Sequence, residues 1–195
     1  MINSLKTFTC GAALFGLASM SGVASAETYQ LDPGHTSVVA SWSHFGYSHP
    51  VATFDGVTGT LVFDKDEPEE ASVKVSIPIK TIDSGVPALN KEFQNKTYFD
   101  VGHYPDATFV SDKVVATGDK TYDVHGKLTM KGHTEPVTLK VTMNGQGEHP
   151  MAKVPAIGFD ATTTIQRSKF GIDKYVPNVS DDVEIRITTE GAASK

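Results

Sequence analysis

The chain has one cysteine, one tryptophan and two arginines among 195 residues. The cysteine, Cys10, lies in an apolar N-terminal stretch that reads as removable, which leaves no disulfide framework and no thiolate nucleophile. Two arginines, Arg167 and Arg186, and a net charge of −6 make the chain a poor partner for nucleic acid, and equally poor for a polybasic grip on anionic membrane. There is no Gly-x-Ser-x-Gly elbow to activate a serine. There is also no glycine-rich turn leading into a helix that would cradle a phosphate: Gly145-Gln146-Gly147 runs into His149 and Pro150 and reads as a loop. None of the seven histidines has the helical i, i+4 partner of a strong zinc signal. Asp64, Asp66, Glu67, Glu69 and Glu70 lack the glycine of a calcium loop and read as a solvated turn.

What is present begins with an address. Lys6 is followed by a mostly apolar run, Phe8 to Val23, that ends in Ala24-Ser25-Ala26, a small-x-small pattern. Residues 1–26 are expected to be a secretory signal peptide, and residues 27–195 one domain working in a periplasm. The run is short and broken by Thr9, Gly11, Gly16, Ser19 and Ser21, which argues against a membrane anchor. Removing it moves the net charge from −6 to about −7.

From Tyr29 onward the hydrophobic period is mostly two. The apolar rows are Val38-Ala40-Trp42-His44, Val57-Gly59-Leu61-Phe63, Val73-Val75-Ile77-Ile79, Ala107-Phe109, Tyr122-Val124-Leu128-Met130, Val137-Leu139-Val141-Met143, Ile157-Phe159-Ala161-Ile165 and Val183-Ile185-Ile187. These are eight half-apolar strands. Gly118-Asp119-Lys120 and Lys131-Gly132-His133-Thr134 are hairpin candidates, and Asn144 to Pro155 reads as a longer loop. Only Val86 to Phe99 breaks the rhythm: Pro87 suits a first helical turn, and Leu89, Phe93 and Lys96 recur at helical spacing. Eight antiparallel strands with one apolar face make a sandwich or a closed barrel. An eight-stranded barrel is just wide enough for its own side chains or one small ligand. Ala40, Gly59, Gly126 and Ala161 either leave room for a guest or let neighbouring aromatics pack.

Several segments resemble the YceI-like family in order: Leu31-Asp32-Pro33-Gly34-His35-Thr36-Ser37-Val38, His44-Phe45-Gly46-Tyr47-Ser48, Phe54-Asp55-Gly56-Val57-Thr58-Gly59 and Tyr98-Phe99-Asp100-Val101. Further along come Tyr104-Pro105-Asp106-Ala107-Thr108-Phe109, Gly126 to Thr134, Gly158-Phe159, Arg167-Ser168-Lys169-Phe170-Gly171 and Val183-Glu184-Ile185. The resemblance implies an all-β, lipocalin-like eight-stranded antiparallel barrel with one short helix, in a bacterial periplasmic or secreted protein. It also implies a long apolar cavity for an isoprenoid chain, either a polyprenyl phosphate or an isoprenoid quinone. Because the sequence holds no catalytic constellation, the leading expectation is a non-catalytic carrier without a cofactor.

On this view the cavity is lined by Val38, Ala40, Trp42, Leu61, Phe63, Val75, Ile77, Phe93, Phe99, Phe109, Leu128, Leu139, Phe159 and Ala161. The head group meets donors near strand or helix ends: His44, Lys91, Lys96, His103 and Arg167. Two positions depart from the family pattern. Trp42 stands where a smaller aliphatic residue is usual, and Asn90 or Lys91 stands at the usual basic position near the helix. Other readings stay open. One is a barrel enzyme acting on a lipid or using a histidine-bound metal. The other is a stress-response interaction protein with a filled core. A transient membrane contact, and a homodimer through free strand edges at Ala71 to Ile79 or the chain end, are also compatible with the sequence.

Overall fold

The computed structural model describes residues 26–193. The expected leader, apart from Ala26, therefore lies outside the described residues. Ten strands and one α-helix are formed among the described residues: β1 (Glu27–Leu31), β2 (Ser37–His44), β3 (Val51–Phe54), β4 (Thr58–Phe63), β5 (Ser72–Pro78), α1 (Pro87–Phe93), β6 (Asp106–Gly118), β7 (Thr121–Met130), β8 (His133–Glu148), β9 (Pro155–Gln166) and β10 (Val179–Ala193). Short 3₁₀ turns sit at Pro68–Glu70, Ile79–Thr81 and Arg167–Phe170.

The ten strands occupy eight positions of one closed antiparallel barrel. β2 and β1 pair in series along the same edge of β10: Val183 faces Trp42, and Gly191 faces Leu31. β3 and β4 do the same on the next position, since β3 pairs with β2 and β4 with β1. From β4 the order continues through β5, β6, β7, β8 and β9 back to β10. The sequence pattern thus has the right number of positions. β1 and β3 appear as separate strands because the chain breaks at residues 32–36 and 55–57. The supposed free edges do not exist, since β5 pairs with both β4 and β6, and β10 pairs with β9 on one side and β2 and β1 on the other.

The hairpins follow their turn chemistry. Lys131 and Gly132 connect β7 to β8 with φ of 50° and 77°, the left-handed pair of a two-residue turn for which glycine is preferred. Asp119-Lys120 links Gly118 to Thr121. The long loop expected from Asn144 to Pro155 is much shorter. β8 runs to Glu148 and pairs with β9 as far as Pro155, with a bulge between Met143 and Gly145, so Gly145-Gln146-Gly147 is strand. Pairing satisfies backbone groups that a polar, glycine-rich composition suggested would face water. The helix forms where Pro87 permits it, with proline in its first turn. Asn90 accepts hydrogen bonds from the Ser84 N–H and hydroxyl at 2.7 and 2.6 Å and donates to Asp83 at 2.8 Å, tying the helix to the turn before it.

Candidate functional site

The inward rows do not fill the barrel. Two buried clusters lie at its ends. Around α1, Phe93 packs edge-on against Trp42 (5.8 Å between ring centres), Tyr98 (5.4 Å) and Phe99 (6.4 Å), and Phe99 meets Phe54 at 6.1 Å. At the other end Phe63 meets Tyr122 at 6.0 Å and Phe159 at 5.9 Å. Between them Val75, Leu128, Leu139, Ile185 and Ile187 point inward yet stay only partly buried. Inward apolar side chains keep accessible surface when they face an empty space. That space is a cavity of about 720 Å³ running the length of the barrel, a size that matches small-molecule pockets of roughly 300–1,000 Å³.

All fourteen side chains expected to line a cavity do line this one, from Val38, Ala40, Trp42, Leu61 and Phe63 through Val75, Ile77, Phe93, Phe99, Phe109, Leu128 and Leu139 to Phe159 and Ala161. The filled core considered from the sequence is not what the chain builds. Trp42 lines the cavity and packs edge-on against Phe93 of the helix. The small residues divide. Ala40 and Ala161 face the space. The place a Cβ would take on Gly126 is occupied by the Phe109 ring at 2.5 Å, and on Gly59 by Leu31 Cδ1 at 2.9 Å and the Lys74 carbonyl at 2.5 Å. Those two glycines seat neighbouring side chains and leave no room for a guest.

Charge enters the lining only at the α1 end, through Glu92, Arg167 and Lys174, with His44 beside them. Arg167 is buried, and its guanidinium donates to the carbonyls of Ser180, Ile172 and Val179 at 2.8 Å each. Burial lowers its pKa, partly countered by Asp181, yet the group stays protonated. Asp181 itself is engaged by the Ser168 N–H at 2.8 Å and hydroxyl at 2.7 Å. Arg167 therefore brings a positive charge to the cavity end with three neutral partners. Lys174 donates to Glu92 at 2.9 Å and lies 4.8 Å over the Tyr175 ring and 5.5 Å over Tyr98. The Glu92 bond, followed by that to Tyr175, raises the Lys174 pKa. Burial raises that of Tyr98.

Two of the five expected head-group donors are at the cavity, His44 and Arg167. Lys91, Lys96 and His103 are not. Lys91 and Lys96 are exposed, and His103 is exposed and bonded to Asp100 at 3.0 Å. Lys174 and Glu92 were not foreseen. Lys174 lies in the irregular stretch between Phe170 and β10, whose path depends on the Arg167 bonds, and only its closeness in sequence to Arg167 pointed to it. Among the described residues no three His, Cys, Asp or Glu side chains come together as a metal site. His125 bonds Thr138 at 2.9 Å and His133 packs by Gly171, so the two histidines flanking the β7–β8 hairpin have separate partners.

The YceI-like domain family model matches residues 29–191. The chain belongs to the YceI-like family. Its relatives include a UPF0312 protein of Pseudomonas putida strain F1, 39% identical over 193 residues, spanning 97% of this chain and 98% of the relative. Among solved structures, BcnA of Burkholderia cenocepacia superposes with a TM-score of 0.74 at 29% identity, over 82% of this chain and 98% of BcnA. A polyisoprenoid binding domain from Saccharophagus degradans, implicated in plant cell wall breakdown, shares the fold with a TM-score of 0.66 at 14% identity, over 85% of this chain and 98% of that domain. The YceI-like barrel is thus common to proteins of widely divergent sequence.

Proposed function

We propose that this YceI-like barrel is a non-catalytic carrier, working in the periplasm, that holds the tail of one isoprenoid lipid, a polyprenyl phosphate or an isoprenoid quinone, with the head group at the α1 end. The observation that carries this reading is a continuous apolar cavity whose charged lining residues sit at one end. That polarity suits an amphiphile with one long tail. The polyisoprenoid binding domain of Saccharophagus degradans, which shares the fold, supports the ligand class.

The energetics favour such a tail. Burial gains roughly 0.8 kcal/mol per CH₂-sized group, so one five-carbon unit gains about 4 kcal/mol gross. Three or four units offset an association cost of about 4–15 kcal/mol. If each non-hydrogen atom takes the roughly 30 Å³ of a liquid water, a cavity of about 720 Å³ holds about 24 atoms, or roughly five isoprene units. Affinity therefore rises with tail length and levels off near five units.

Trp42, the single tryptophan, lines the cavity and reports occupancy. Titration with quinones of increasing tail length should quench its fluorescence to a one-to-one endpoint. Absence of quenching by every quinone and polyprenyl phosphate tried would remove the proposal.

A further inference from the structure

Three segments at the α1 end of the cavity carry no lysine, arginine, aspartate or glutamate: residues 45–51, 84–89 and 175–180. The rest of the chain is rich in charge, with 17 basic and 23 acidic side chains. These same segments display large apolar groups to solvent. Tyr47 is 93% exposed, and Phe45, Val51, Val86 and Tyr175 are each about half exposed. Backbone bonds tie the segments into one surface. The Phe45 N–H donates to the Asn178 carbonyl at 2.8 Å, and Thr53 and Asp83 exchange bonds of 2.8 and 2.9 Å that hold the second segment against β3. Val51, Val86 and Tyr175 also line the cavity, so the surface is its rim. Phe45 and Tyr175 have φ of 54° and 67°, a left-handed backbone disfavoured for aromatic residues.

We propose that this rim rests on the interfacial layer of a lipid bilayer, so that an apolar tail passes between membrane and cavity without crossing water. The proposal rests on the lipid-carrier reading above. Uncharged segments can enter the interface without desolvating an ion. Tyrosine suits that layer because its ring is apolar at one end and wet at the other, and phenylalanine adds apolar area on the buried side. The net charge of −6 and the absence of lysine and arginine from these segments disfavour attraction to anionic lipid as the driving force, so the contact is apolar and fits a zwitterionic surface.

The test is co-sedimentation of the purified protein with phosphatidylcholine vesicles at low and high salt, beside Phe45→Ser/Tyr47→Ser. Neither residue lines the cavity. The protein should associate with vesicles, and raising the salt should not release it. The double variant should partition roughly ten- to a hundred-fold less, as expected for losing two half-inserted rings. It should still bind a water-soluble short-tailed quinone like the unaltered protein, which separates failure of the rim from failure of the carrier reading. No association, association abolished by salt, or equal association by the double variant overturns the proposal. So does a concentration-dependent dimer that the double variant abolishes, since the rim would then join two copies of the chain.

Discussion

Ala161→Phe narrows the cavity from a wall that faces it directly. Ala161 lies midway along β9, between Val141 on β8 and Ile187 on β10, and all three line the space. The substitution adds six carbons. At roughly 30 Å³ per non-hydrogen atom they take about 180 Å³, a quarter of the cavity of about 720 Å³. A five-unit tail then loses burial for about six carbons, or up to about 5 kcal/mol gross at roughly 0.8 kcal/mol each. With contacts between tail and new ring recovering part of this, affinity for the long tail falls by roughly a hundred-fold or more, each 1.4 kcal/mol being about tenfold. A two-unit tail that stays between the α1 end and Ala161 keeps its affinity. Trp42 quenching by quinones of both lengths measures the contrast, with thermal unfolding to show that the variant is folded. Equal losses for both tails, or no loss for the long one in a folded variant, would refute the reasoning.

Other outcomes follow from single residues. Gly126→Ala places a methyl against the Phe109 ring and the Val110 carbonyl, both 2.5 Å from its position, and should lower stability by about 1–3 kcal/mol in urea unfolding. Arg167→Met removes the donors to three backbone carbonyls around a buried site and should cost about 3 kcal/mol or more by the same assay. The hydrogen bond to Asp100 raises the pKa of His103 above its ordinary 6.5, so NMR titration should place it higher in the intact protein than in Asp100→Asn. Because the folded value is raised, the pair stabilises the fold below the ordinary histidine range. That contribution fades as pH climbs through the raised value.

The barrel was legible because alternation is a local property: Val137, Leu139, Val141 and Met143 mark an inward row whatever strand lies beside them. β1 and β3 were harder to see. β1 contributes only Tyr29 and Leu31 to the inside and β3 only Ala52 and Phe54, too few for a period to show. Asn144 to Glu148 reads as a loop by composition, and pairing with β9 overrides that preference. The cavity walls could be anticipated from the rows, but whether Gly59 and Gly126 open space depended on where the Leu31 and Phe109 side chains turn, which alternation does not encode. The head-group end was the least legible. Lys91 stands on the helix and Lys96 just beyond it, yet both face water, while Lys174 arrives from a distant irregular segment held by Arg167.

Native mass spectrometry of the protein recovered from a bacterial periplasm, followed by organic extraction, tests the central claim most directly. The account predicts one prenyl lipid per chain, released on extraction and identifiable by mass. A chain that emerges empty, and remains empty after incubation with quinone and polyprenyl phosphate, would contradict it.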